Sequence, residues 1–198
     1  HRLAARILII NSQYQRAADH LDQLEGEDYH EGWGHLLRGN MALKVGELNA
    51  ALAELQAADA KFEDSLQVDA SLARAYLKTK RWEKAVSHLE ALLIPDESLS
   101  PEDVAWRRQL FGFADRVHLD LLQARLALGQ WSEAQEQLAA LRETEFEPEA
   151  WKLAIRYLWS NNQQEKAQAY LTRVREKFPD NVDLVFLDAA FLGQQGKE

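Results

Sequence analysis

The chain has 198 residues, a net charge of -9, 46% hydrophobic and 28% charged residues, and no cysteine. An acidic balance of this kind excludes whole-molecule attraction to nucleic acid or an anionic membrane. The lack of cysteine excludes disulfide staples, thiolate zinc sites and cysteine nucleophiles, and it leaves the compartment open.

Taken in chain order, the dominant pattern is a period. Ala17, Ala51, Ala85, Ala134 and Ala167 follow one another by 34, 34, 49 and 33 residues, and a leucine stands four residues after each, at Leu21, Leu55, Leu89, Leu138 and Leu171. A period of this size marks stacked helical pairs, so function is to be sought on a surface. Five helical hairpins are expected to begin near residues 1, 32, 66, 115 and 148, followed by a sixth first helix over about 182–195. The clearest runs from Ser71 to Leu89, where apolar residues at i, i+1 and i+4 give one helix, a polar turn follows, and Ala85, Leu89 and Leu92 give the next. Small residues fall where paired helices would cross closely: Ala5, Gly39 and Ala73 on first helices, the five alanines on second helices. Leu122 and Ile155 replace the small residue in the fourth and fifth pairs, which predicts looser or shifted packing there.

The 49-residue step holds 15 residues beyond one repeat, between Leu93 and Arg116. Ser100-Pro101-Glu102-Asp103 is a good helix start, with a capping serine, proline in the first turn and acids at the positive helix end. An uninterrupted helix over 101–128 would be roughly 42 Å long at 1.5 Å per residue, and Gly112 is the point at which it would kink or divide. Two readings of the insertion stay open. Trp106, Leu110, Phe111 and Phe113 either pad a widened junction or offer a docking surface.

Val45-Gly46-Glu47-Leu48-Asn49-Ala50-Ala51, Leu128-Gly129-Gln130-Trp131-Ser132-Glu133-Ala134, and Ala167 with Leu171, Val174 and Phe178-Pro179 carry a resemblance to the tetratricopeptide-repeat (TPR) family. Trp151 fills its first aromatic slot, Tyr76 its second, and Tyr14, Leu48, Trp82 and Trp131 its apolar turn slot. The resemblance implies an all-α, right-handed superhelix of antiparallel helix pairs. It is read as one solenoid over 1–198, with repeats at about 1–31, 32–65, 66–99, 115–147 and 148–181, an insertion at 100–114 and a half repeat at 182–198. Phe186, Leu187, Phe191 and Leu192 form an apolar final helix with no polar cap after it, and the chain starts at His1 rather than Met. Both features lead to the expectation of a fragment cut from a longer array, with self-association through its open ends.

In that family first helices line a concave groove that holds a peptide or partner helix. The corresponding slots carry Arg6, Asn40, Arg74, Gln123, Arg156 and Ala190, and neighbouring turns add Arg2, Lys44, Lys78, Arg116 and Lys152 against Glu149 and Asp183. The predicted partner-binding set is Arg6, Asn40, Lys44, Arg74, Lys78, Arg116, Lys152 and Arg156, facing a protein partner with an acidic segment. Trp33 and Trp159 are either apolar anchors beside this stripe or core. A chaperone-type carboxylate clamp is not expected, because only Asn40 matches, while Ser71, Arg116 and Asp120 stand at the other slots.

No enzymatic constellation, cofactor or metal site is expected. His30 and His35, with Asp28 and Glu31, fall in a predicted loop without ligand geometry. His20, His88 and His118 lie singly on helices, and the pairs Asp19/Asp22 and Glu133/Glu136 read as solvated helix faces. The longest apolar run near the start, Ile7 to Ile10, is far short of the ~20 residues of a membrane span. The expected function is therefore a non-enzymatic scaffold that binds a protein, and no nucleic acid. An alternative rests on likeness to the periplasmic helical portions of bacterial exopolysaccharide secretion proteins, which recruit modifying enzymes or guide polymer. Periplasm and cytoplasm both remain open, with the export reading pointing to the periplasm.

Overall fold

A computed structural model describes residues 1–24, 28–62, 65–110 and 112–195. Among them every regular element is helical. The chain divides into two compact units, His1–Phe111 and Gly112–Glu198.

The first unit contains three antiparallel pairs: α1 (Arg2–Ile10) with α2 (Tyr14–Leu21), α3 (Asp28–Val45) with α4 (Leu48–Asp59), and α5 (Leu66–Lys78) with α6 (Trp82–Ala91). A short helix, α7 (Pro101–Arg108), follows. The second unit contains α8 (Phe113–Ala127) with α9 (Trp131–Ala140), α10 (Glu147–Ser160) with α11 (Gln164–Lys177), and α12 (Val182–Gln195). No single helix runs over 101–128. Helix α7 ends at Arg108, α8 begins at Phe113, and Gly112 between them sits at φ 64°, a left-handed conformation open to glycine and incompatible with a continuing helix.

The periodic alanines are what lets each pair close. Ala17, Ala51, Ala85, Ala134 and Ala167 are all completely buried, as are the leucines at 21, 55 and 171, and Ala5 and Ala73 are buried opposite them. Gly39 takes this role on α3. A Cβ there would stand 2.6 Å from Leu55 Cγ and 3.3 Å from the Ala51 carbonyl oxygen. Leu122 and Ile155, the larger residues at the equivalent slots, are themselves completely buried, so the second unit fills its helix crossings with side chain rather than leaving them open. On α12, Leu187 and Phe191 are buried and Trp159 stacks on Phe191 with ring centroids 3.6 Å apart, whereas Phe186 and Leu192 are exposed.

The turns inside the five pairs share one construction. Ser12, Gly46, Lys80, Gly129 and Asn162 all have φ between 56° and 87°, and the next amide reaches back to a carbonyl five residues earlier. These bonds are Gln13 to Leu8 (2.8 Å) and Glu47 to Ala42, Arg81 to Tyr76, Gln130 to Arg125 and Gln163 to Leu158 (each 2.9 Å). This is the Schellman closure, in which a left-handed residue satisfies carbonyls at the end of the first helix. Nothing lies within 4 Å of a Cβ built on Gly46, so a substitution there perturbs only the backbone. Gly46→Ala is expected to cost about 1 kcal/mol and Gly46→Asn less, because asparagine tolerates the left-handed region. Paired thermal melts check this; equal melting temperatures for the alanine and parent proteins would refute it.

A second regularity crosses each pair. Residues 19 apart meet in all five: His1 with His20 (Nδ1 to Nδ1, 3.2 Å), His35 with Glu54, His88 with Asp69 and His118 with Gln137 (2.7 Å each), and Trp151 with Tyr170, whose ring centroids are 5.2 Å apart. The histidine donates to an acid or amide oxygen in three of them. His20, His88 and His118, read singly in the sequence, are thus one repeated cross-brace between paired helices.

Candidate functional site

First helices of successive pairs lie side by side in the first unit, so residues 34 apart in sequence become neighbours on one surface. This places Arg6, Asn40 and Arg74 in one row and Lys44 with Lys78 in another. All five line a groove of about 590 Å³. Its walls also include Leu37 and Leu43 from α3 and Trp33, which is largely buried. Arg6, Lys44, Arg74 and Lys78 are exposed, and among the described residues none of them forms an ion pair. Asn40 is half-buried and tethered. The Ser71 hydroxyl donates to the Gln67 carbonyl oxygen at 2.9 Å and lies 3.0 Å from the Asn40 side-chain amide. Four cations that form no ion pair among the described residues thus surround one concave, largely apolar floor.

Two profiles described as tetratricopeptide repeat match residues 42–102 and 119–182, together more than half of the chain. The chain belongs to the tetratricopeptide-repeat family. Solved TPR structures align along nearly its whole length. YrrB, described as a TPR protein with an unusual peptide-binding site, matches at 15% identity with a TM-score of 0.69, over 93% of this chain and 88% of that one. MamA MSR-1 matches at 18% identity with a TM-score of 0.65, over 88% and 95%. TTC0263, a thermophilic TPR protein in Thermus thermophilus, matches at 20% identity with a TM-score of 0.53, over 96% and 95%. At these identities the likeness is one of fold. Nothing among the curated proteins matches the sequence.

The other basic residues of the predicted TPR stripe, Arg116, Lys152 and Arg156, belong to the second unit. Arg116 on α8 pairs with Asp120 at 3.4 Å. Lys152 on α10 is held between Glu149, one turn earlier, and Asp183 of α12, whose carboxylate lies 2.8 Å away. Burial by itself lowers the Lys152 ammonium, but its hydrogen bonds to Asp183 and Glu149 and their charges outweigh burial and hold its pKa above the usual value. Arg156 is exposed and adds a favourable charge beside Asp183. Glu149 and Asp183, the two acids that dilute the stripe in the sequence, are thus the ion-pair partners of Lys152.

Of the insertion residues, Trp106 lines the first-unit groove, Leu110 is exposed, Phe113 opens α8 half-buried, and Phe111 lies outside the described residues. The side chains of Asp28, His30 and Glu31 also lie outside the described ones. Among the described residues no three potential ligands converge as a metal site would require, and no helix is long and apolar enough to cross a membrane. What sequence reasoning missed is Glu102, also a lining residue of the groove. It reads there as a helix-start acid, and nothing in the period announces where the insertion packs.

Proposed function

We propose that this TPR protein is a non-enzymatic scaffold whose first unit holds an acidic segment of a protein partner in the groove formed by α1, α3 and α5. The observation that carries the reading is the concentration of Arg6, Lys44, Arg74 and Lys78, which form no ion pair among the described residues, on one concave surface of a chain whose net charge is -9. Asn40 at the centre adds a tethered amide that can hydrogen-bond an extended backbone. TPR folds serve generally as protein–protein interaction scaffolds, and the peptide-binding site ascribed to YrrB gives a precedent on a related fold. Arginine contributes here through its fork of donors, which matches a carboxylate bidentately.

The test is direct. Arg74→Glu with Lys78→Glu should weaken binding of a peptide that carries two adjacent glutamates at one end by at least ~tenfold, corresponding to about 1.4 kcal/mol, while leaving the circular dichroism melt in place. Raising the salt concentration should weaken the parent protein's binding in the same direction. Titration by isothermal calorimetry reads both effects, and an affinity indifferent to charge reversal would refute the groove as the binding surface.

A further inference from the structure

The insertion helix gives the groove a direction. Residues four apart on a helix share a face, and α7 uses two such pairs for two tasks. Asp103 and Arg107 anchor the helix. The Asp103 amide donates to Ser100 Oγ at 3.1 Å, the Ser100 hydroxyl donates back to the Asp103 carboxylate at 2.8 Å, and Arg107 donates to the Ile94 carbonyl oxygen at 2.6 Å and pairs with Asp96. Glu102 and Trp106, on the adjacent stripe, both line the groove. Glu102 also lines a second hollow of about 390 Å³ together with Ser65, Leu66, Gln67 and Asp69, which places Glu102 beside the N-terminal end of α5. Lys78 stands at the other end of α5, and Lys44 at the matching end of α3. From Gln67 to Lys78 the axis rises about 16 Å at 1.5 Å per residue, the length of about five extended residues.

We infer that α7 is the specificity wall of this groove, and that the segment it admits has acidic residues at one end and a bulky apolar residue followed by a cation at the other. Acids meet Lys44 and Lys78, the apolar residue packs beside Trp33 and Trp106, and the cation faces Glu102. A uniformly acidic peptide would place like charge against Glu102 and leave Trp106 unused, so α7 selects against it. This deepens the proposed acidic-segment reading and rests on it.

The experiment uses the full chain and two capped peptides: one with lysine, phenylalanine, two alanines and two glutamates in that order, the other with its sequence reversed. Variants of each carry alanine for phenylalanine or glutamate for lysine. Affinities are measured for the parent protein and for Trp106→Ala, Trp106→Phe, Glu102→Gln and Arg74→Glu. The parent should bind one of the two peptides at least ~tenfold more tightly than its alanine variant. Trp106→Ala should erase that difference and Trp106→Phe restore most of it, and Glu102→Gln should erase the preference for lysine over glutamate. The inference on α7 is overturned, with the acidic-segment reading intact, if Arg74→Glu weakens binding while the Trp106 and Glu102 variants discriminate as the parent does. If no peptide binds, or if Arg74→Glu changes nothing, both fall.

Discussion

Gly39→Leu is expected to remove more than about 3 kcal/mol of stability and to unfold the α3/α4 pair at denaturant concentrations that leave the parent protein intact. Glycine is a poor helix residue, roughly 1 kcal/mol worse than alanine in a helix interior, so its presence in the middle of α3 needs a packing cause. The cause is contact. Even a Cβ would overlap the Leu55 side chain at 2.6 and 2.7 Å, and the Ala51 carbonyl oxygen closes the remaining side at 3.3 Å. Leu55 is completely buried and has nowhere to retreat, so a larger residue must drive α3 away from α4. Small-to-large changes in packed cores typically cost about 1–3 kcal/mol, and loss of the whole helix crossing adds to that. Gly193 on α12 is the control. Nothing lies within 4 Å of its would-be Cβ, so Gly193→Ala should be neutral or stabilising by helix propensity. Urea unfolding followed by far-ultraviolet circular dichroism separates the outcomes, and a midpoint for Gly39→Leu equal to the parent's would refute the crossing argument.

The same contact explains why the fold could be read from the chain. A helix crossing demands a small residue, and a stacked array demands it repeatedly, so Ala17, Ala51, Ala85, Ala134 and Ala167 form a pattern that no single alanine could. The left-handed turn position was less legible because three residue types other than glycine occupy it: Ser12, Lys80 and Asn162. The 19-residue brace was present in the spacing yet hidden by its chemistry, since a histidine on α5's partner helix answers an aspartate while on α3 it answers a glutamate. Its fifth member, Trp151 with Tyr170, is aromatic and shares no residue type with the others.

The candidate groove was legible where it obeyed the period and obscure where it did not. Arg6, Asn40 and Arg74 are equivalent positions of successive repeats, so stacking alone brings them together. Helix α7 has no equivalent among the other described helices, and its position depends on the reciprocal Ser100–Asp103 cap and on Arg107 reaching back to Ile94 and Asp96. Periodicity is silent about such contacts. Lys152 shows what a projected stripe leaves out: a basic residue in a groove slot also has neighbours of its own, here the ion-paired Glu149 and Asp183.

Glu147 is where the second unit should prove sensitive to acid. It is a carboxylate only 4% exposed at the start of α10. Lys177 of α11 reaches both of its oxygens, at 2.8 and 2.7 Å, and the Glu143 amide donates to one of them at 2.7 Å. Burial opposes its ionisation, but the Lys177 and Glu143 hydrogen bonds, the Lys177 charge and a hydrogen bond from Trp151 together outweigh burial and hold its pKa below the ordinary 4.5. A pKa depressed by folding means that the ionised side chain stabilises the native state, in full above the unfolded value and progressively less as pH falls through the folded one. Glu147→Gln keeps the shape and removes the charge. At pH 7 it should cost about 2 kcal/mol, the range of a hydrogen bond to a charged group, with the half-exposed Lys177 ammonium recovering hydration and so limiting the loss. Below pH 4.5 the cost should shrink, because the parent's own carboxyl becomes protonated and the two proteins converge. Urea midpoints of both proteins from about pH 7 to about pH 3 measure this. A gap that stays constant across the range would show that the Glu147 charge is not what stabilises the α10/α11 pair.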